Sequence, residues 1–132
     1  RRLGKLGTDP SASSSSPPPS PQKRTEAEQP WAIPRIIHQT WKTNDVPAKF
    51  EEAISSWRRL HLGWRFEFWD DARGSRFMHE HFPQYARAYD AMSGIKRADV
   101  IRIALLHVLG GVYADIDVEA VRSFDALLSA AA

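Results

Sequence analysis

Cysteine is missing from all 132 residues, so no disulfide framework braces the chain and no thiol takes part in its chemistry. That absence leaves the redox compartment open. Long apolar runs are missing too. A membrane helix needs ~20 consecutive apolar residues, and the longest candidate, residues 100–109, is interrupted by Arg102 and His107. Nor is there a surplus of one charge. Eighteen Lys and Arg against sixteen Asp and Glu leave a formal charge of +2, scattered rather than striped, so no nucleic-acid partner is expected. No initiating Met and no secretory signal opens the chain, so a fragment or a trimmed chain is expected.

Proline is abundant in one place. Six of the nine prolines lie between Pro10 and Pro30, beside a Ser-rich run from Ser11 to Ser16. With no apolar period, residues 1–30 cannot bury enough surface to offset their ordering entropy. They are expected to be a disordered tail or linker, or a stalk that holds a folded domain away from a membrane. Residues 31–132 then form a single domain.

That domain reads as α/β. Residues 33–41 (Ile-Pro-Arg-Ile-Ile-His-Gln-Thr-Trp) predict a first strand that leaves the core near its polar end, His38 and Gln39. Such ends are where α/β sheets bind ligands, and Trp41 just past it could stack on a base or simply fill a core. Residues 47–60 predict a helix opened by Pro47, with Phe50, Ala53, Ile54, Trp57 and Leu60 on one stripe. Residues 64–69 alternate strictly and predict a strand. Asp70-Asp71 follow and can cap the next helix. His79 and His81, two apart on a helix, diverge and make poor co-ligands. Gln84 to Met92 predict another helix with Tyr85, Ala86 and Tyr89 on one side, closed by Ser93 and Gly94.

Residues 98–118 organise the rest. A helix over 95–109, apolar almost all round in its second half, is expected to be buried, with His107 packed inside. Gly110 and Gly111 stop it and turn the backbone tightly into a strand. Asp99 and Arg102 are spaced i, i+3. They could form a local ion pair, but an idle pair on a buried helix would be costly, so a polar ligand such as sugar hydroxyls or phosphate oxygens explains them better. On the following strand, Tyr113, Asp115 and Asp117 share one face while Val112, Ala114, Ile116 and Val118 share the apolar one. Two carboxylates at a strand end are a platform for a hard divalent cation, magnesium or manganese. Phe124, Leu127 and Leu128 predict a short closing helix. A calcium loop is disfavoured, because no glycine follows the aspartates at the required turn.

The ordered set Asp99, Arg102, Gly110-Gly111, Tyr113, Asp115 and Asp117, with the His38-Gln39-Thr40-Trp41 strand end upstream, resembles glycosyltransferase family 32. That group includes initiating α-1,6-mannosyltransferases, inositol phosphorylceramide mannosyltransferases and α-1,4-glycosyltransferases. The same layout looks like the catalytic domain of the large clostridial glucosylating toxins. The resemblance covers about residues 33–128. It implies a GT-A fold, a Rossmann-like nucleotide-sugar-binding α/β sandwich, seen here only up to its D-x-D strand. It implies a metal-dependent, retaining transfer of a hexose from GDP-mannose or a UDP-hexose to a glycan or glycolipid hydroxyl. Asp117 would ligate Mn2+ (or Mg2+) directly, with Asp115 at the metal or the ribose. Asp99 and Arg102 would hold the donor sugar, Trp41 would stack on the base, and the backbone of Ile37, His38 and Gln39 would line the nucleotide pocket beside Tyr113. Golgi lumenal placement as part of a type II membrane protein, tethered upstream of this chain, follows from the family and the stalk-like tail. One departure is expected to matter. Family domains continue well past the D-x-D, whereas fifteen residues follow Asp117 here. Two rivals remain: a non-catalytic nucleotide-sugar-binding remnant, and a haloacid-dehalogenase-type phosphatase with Asp115 as nucleophile.

Overall fold

The computed structural model describes residues 32–130; the expected tail over 1–30 lies outside them. Three parallel strands carry the fold: β1 (Ile36–Thr40), β2 (Arg65–Trp69) and β3 (Val112–Tyr113). Their order is β2-β1-β3, so β1 is central and the chain reverses its direction of growth around it. After β1, a 3-10 turn (Ala48–Phe50) and α1 (Glu51–Leu60) lead to β2. Then α2 (Asp71–His81), α3 (Pro83–Asp90) and α4 (Gly94–Leu109) lead back to β3, and α5 (Asp125–Ala130) closes the described residues. The expected bounds of β2, α3 and α4 hold within a residue or two; the helix expected over 47–60 is a 3-10 turn followed by α1, and Leu60 at the end of its stripe is exposed. Asp70 caps α2 as expected, accepting from Arg73 N–H at 2.7 Å.

The sheet separates two cores. On one side Ile37 packs with Trp57, Trp64, Ala114 and Ala120 under α1. On the other, Trp69 packs with Phe77, Met78, Tyr89, Ile101 and Leu105 of α2, α3 and α4. Alternation along β1 explains the split, since Ile37 and His38 face opposite layers.

Four expectations are corrected. The first strand does not leave the core at its polar end: His38 and Gln39 are buried. Trp69 Nε1–H donates to His38 Nδ1 at 3.1 Å, and His38 Nε2–H donates to the Gly110 carbonyl at 2.9 Å. A fully satisfied imidazole thus ties β1 to β2 and to the end of α4, which is why a histidine can sit there. The second half of α4 is not buried all round. Ile103 is 70% exposed, and Leu106, His107 and Val108 are exposed too, because only the Ile101, Ala104 and Leu105 face meets the core. Tyr85 likewise points to solvent while Ala86 and Tyr89 are buried. Finally, β3 ends at Tyr113, so Asp115 and Asp117 stand in the turn beyond it and Val118 is exposed.

His38 carries a pH consequence. Burial, partly offset by the Gly110 hydrogen bond, pushes its pKa below the ordinary 6.5. The unfolded chain takes up this proton near 6.5 and the folded chain does so only at lower pH. The stabilisation is therefore complete above 6.5 and declines as pH falls below it toward the folded value. Urea melts at pH 7.5 and 5.0 are expected to show that decline, and His38→Gln to remove its share of it. An unchanged slope in the variant would contradict the assignment.

Candidate functional site

In an open parallel sheet, ligands bind at the carboxyl ends of the strands where the strand order reverses. Here that point lies between the ends of β1 and β3. Thr40 and Trp41 stand on one side of it, and Tyr113, Asp115 and Asp117 on the other. The double glycine makes the approach possible. Gly110 and Gly111 have φ of +67° and +96°, and a Cβ on Gly111 would lie 2.6 Å from the Ile36 carbonyl oxygen. Only glycine accepts both the sign of φ and the closeness of β1.

Arg102 of α4 gathers the site. Its Nη2 lies 3.4 Å from Asp99 Oδ1 and 3.3 Å from Asp115 Oδ1. The guanidinium sits 4.6 Å above the Tyr113 ring, and its Nε–H donates to the Ala98 carbonyl at 3.3 Å. The local Asp99–Arg102 pair therefore exists, but the same side chain also spans from the helix to the turn after β3. Tyr113 shares a 2.7 Å hydrogen bond with Thr40 at the end of β1. Burial raises the pKa of the Tyr113 hydroxyl, so it stays protonated at neutral pH. Asp117 is exposed, and among the described residues no side chain pairs with it.

Beside this cluster a cavity of about 290 Å³ is lined by Thr40, Trp41, Lys42, Asp70, Ile95 and Ala98, among others. Trp41 is half-buried, edge-on to Phe50 with ring centroids 5.4 Å apart, and Lys42 Nζ lies 5.7 Å from its ring. Trp41 Nε1 and Gln39 Nε2 are buried donors with no acceptor among the described residues. A buried donor without a partner costs roughly 1–3 kcal/mol, so the Trp41 indole, which lines the cavity, suits a site that a polar ligand completes, whereas Gln39 lies on the Ile37 face of β1 and does not line it. Of the nominated residues, Asp99, Arg102, Tyr113 and Asp115 come together as one cluster. Trp41 lines the neighbouring cavity, Asp117 is exposed in the turn after β3, and the side chains of Ile37, His38 and Gln39 are buried.

Sequence reasoning missed what holds the aspartate turn in place. Trp57 Nε1–H donates to the Val118 carbonyl at 2.8 Å, Ala120 N–H donates to Ser56 Oγ at 2.8 Å, and Phe124 N–H donates to His61 Nε2 at 3.1 Å. His61 Nδ1–H in turn donates to the Trp57 carbonyl at 2.9 Å. Asp125 accepts from Trp64 Nε1 at 2.9 Å, from Ser123 and from Arg35, and these donors hold its carboxyl below the usual range. Ser56, a polar residue beside Trp57 on an otherwise apolar face, was the one available signal.

Among the described residues no group of three His, Asp or Glu is placed to enclose a metal. Two carboxylates on one tight turn, where Val118 N–H donates to the Asp115 carbonyl at 3.2 Å, nevertheless fit a hard cation that takes its other oxygens from a diphosphate and water.

Comparison with known proteins agrees with the geometry. The family model described as a glycosyltransferase sugar-binding region containing a DXD motif matches residues 47–132. Inositol phosphoceramide mannosyltransferase 3 of Schizosaccharomyces pombe is 42% identical over 98 residues, 74% of this chain and 28% of that protein. Mannosyl phosphorylinositol ceramide synthase SUR1 of Saccharomyces cerevisiae is 36% identical over 102 residues, 76% of this chain and 27% of that protein. An uncharacterized glycosyltransferase, L373, of Acanthamoeba polyphaga mimivirus is 34% identical over 89 residues, 64% of this chain and 36% of that protein. The chain thus spans little more than a quarter of the two yeast relatives. No solved structure matches it. The phosphatase reading finds no support among these relatives. With its D-x-x-R helix, double glycine and D-x-D turn gathered at one strand end, and with the family model covering well over half its length, the chain belongs to the DXD-containing glycosyltransferases of family 32.

Proposed function

We propose that this chain is the donor-binding part of a GT-A glycosyltransferase that moves mannose from GDP-mannose to a hydroxyl on an inositol-phosphoceramide-type lipid. The observation that carries the reading is Arg102, which joins Asp99 to Asp115 across the crevice at the end of β1 and β3. The relatives named as mannosyltransferases of such lipids supply the sugar and the acceptor class. The base takes the cavity beside Trp41, where the Trp41 indole N–H has no acceptor among the described residues. Asp99 accepts from sugar hydroxyls, and Arg102 fixes its orientation and adds positive charge toward the diphosphate. Asp115 and Asp117 hold Mn2+ or Mg2+, which when bound neutralises the diphosphate as it leaves. Tyr113, locked by Thr40, keeps the guanidinium from swinging out of the crevice. Retention of the anomeric configuration and Golgi lumenal placement follow the family and belong to the same proposal.

Titration of intrinsic tryptophan fluorescence with GDP and with UDP, each with and without Mn2+, tests it. Quenching by GDP only when Mn2+ is present is the expected outcome. Equal quenching without metal would remove the cation from the proposal, and preference for UDP would replace the donor. Binding of neither nucleotide would leave a remnant that cannot take a donor.

A further inference from the structure

Two carboxylates line the cavity beside Trp41, and they are not equivalent. Trp41 N–H donates to the Trp69 carbonyl at 3.1 Å, and Asp71 N–H donates to the Lys42 carbonyl at 3.2 Å. These bonds extend the pairing of β1 with β2 and bring Trp41 and Lys42 alongside Asp70 and Asp71 at the start of α2. All four residues line the cavity. Asp70 is spent on the fold. Its Oδ1 accepts from Arg73 N–H at 2.7 Å, and its Oδ2 accepts from Asn44 Nδ2 at 2.8 Å. Asp71 is held from one side only. Its Oδ2 lies 3.2 Å from Arg97 Nη2 of α4, and its Oδ1 has no partner among the described residues.

Tyr89 tells where that charge is felt. It is buried on the cavity wall, and its hydroxyl is pushed up to about 12, first by burial and next by the Asp71 carboxylate. The cavity therefore holds an acceptor without a hydrogen, Asp71, and a hydrogen without an acceptor, the buried Trp41 indole N–H. Its volume of about 290 Å³ falls just under the roughly 300–1,000 Å³ of pockets that enclose whole small molecules, which suits a base with the diphosphate left outside.

The bases differ in how they meet such a pair of groups. Guanine carries two neighbouring N–H groups, N1–H and the 2-amino group, and has O6 and N7 as acceptors. One carboxylate takes both hydrogens, because Oδ1 is free and Oδ2 keeps a second lone pair beside Arg97. Uracil has one N–H between two carbonyl oxygens, so a carboxylate that met it would also face an oxygen. Adenine and cytosine each set their amino group beside a ring acceptor, not beside a second N–H.

We propose that Asp71 selects guanine as the base of the sugar donor, accepting N1–H and the 2-amino group while Arg97 holds its carboxylate in place. The inference rests on the reading that the base occupies this cavity, and it names the side chain that makes the nucleotide GDP.

Calorimetric titration of the full chain in Mn2+ with the diphosphates of guanosine, inosine, xanthosine and uridine tests the proposal. Inosine lacks only the 2-amino group, and xanthosine replaces it with a carbonyl. The wild-type chain is expected to bind GDP about tenfold or more tighter than the inosine nucleotide, since a site built for a hydrogen bond rejects the analogue that lacks it. Asp71→Asn, whose amide offers one acceptor and one donor, is expected to lose that difference and to prefer the xanthosine nucleotide over GDP. A reversed preference cannot come from a variant that fails to fold. Arg97→Gln, which removes the ion pair and leaves the carboxylate, is expected to keep GDP ahead of the xanthosine nucleotide. A wild-type chain that binds the guanosine and inosine nucleotides alike, or an Asp71→Asn variant that does not turn to xanthosine, overturns the proposal and leaves the donor reading standing. Preference of the wild-type chain for UDP overturns it and replaces the donor. Binding of none of the four overturns both readings.

Discussion

Asp117→Ala is expected to weaken Mn2+-dependent binding of GDP at least ~100-fold while leaving the melting curve where it was. The two halves of that statement have different origins. Asp117 is exposed and no side chain pairs with it among the described residues, so its removal falls in the class of surface changes worth within about ±0.5 kcal/mol. The proposed site gives this carboxylate, two residues from Asp115 beyond the end of β3, a role that the fold does not. On the proposed reading, losing one of the two carboxylates assigned to a divalent ion costs more than losing a group behind a ligand, for which roughly 10–100-fold is usual. Asp115→Ala is expected to match it in binding but also to release Arg102 from one of its two carboxylates. Calorimetric titration of GDP with Mn2+ and a thermal melt on each variant decide the matter. If Asp117→Ala binds like wild type, the metal is not held there.

Gly111→Ala is expected to be the most damaging single added methyl group among the described glycines, costing ~3–5 kcal/mol. Two penalties combine. Gly111 has φ of +96°, where a Cβ costs roughly 1–2 kcal/mol. The added Cβ would also lie 2.6 Å from the Ile36 carbonyl oxygen and 3.0 Å from Ile36 Cβ. Both belong to the central strand, which is held on each side by its neighbours and cannot give way. Gly63→Ala separates the terms, because Gly63 has φ of +82° but open space around it. It is expected to lose only the first penalty. Against a typical domain stability of about 5–15 kcal/mol, denaturant midpoints will show Gly111→Ala near the edge of folding and Gly63→Ala well inside it. Equal shifts for the two would show that the close approach to β1 is not tight.

What could be read in advance follows from which patterns are local. The strict alternation of Trp64 to Trp69, the apolar stripe through Trp57 and the stop at Gly110-Gly111 are local, and the elements appear where those patterns place them. The end of β3 is not local. Tyr113, Ala114, Asp115, Ile116 and Asp117 keep a period of two, and Ala114 and Ile116 are indeed buried, yet the ladder to β1 stops at Tyr113. Burial alternates through a turn as it does through a strand, so the pattern could not reveal where pairing ends. The exposure of Ile103, Leu106 and Val108 was hidden for a similar reason, since an apolar surface says that it is to be covered, not by what. In the site, Asp99 with Arg102 was readable from spacing, whereas the reach of Arg102 to Asp115 and the anchoring of the turn by Ser56, Trp57 and His61 depend on contacts between distant parts of the chain.

Those anchors have a kinetic meaning. Trp57 to Val118, Ser56 to Ala120, His61 to Phe124 and Trp64 to Asp125 each bridge more than sixty residues of chain. Every one closes a long loop, and long-range contacts of that kind are the slowest to form. The aspartate turn is thus expected to acquire its shape late, together with the pairing of β1 with β3, which spans still more chain. Because the Ala120 and Phe124 amides each rest on one side-chain acceptor while β1 is laddered on both sides, hydrogen exchange in mild denaturant is expected to release those two amides before the central strand, through a state that is still folded but no longer presents its two carboxylates.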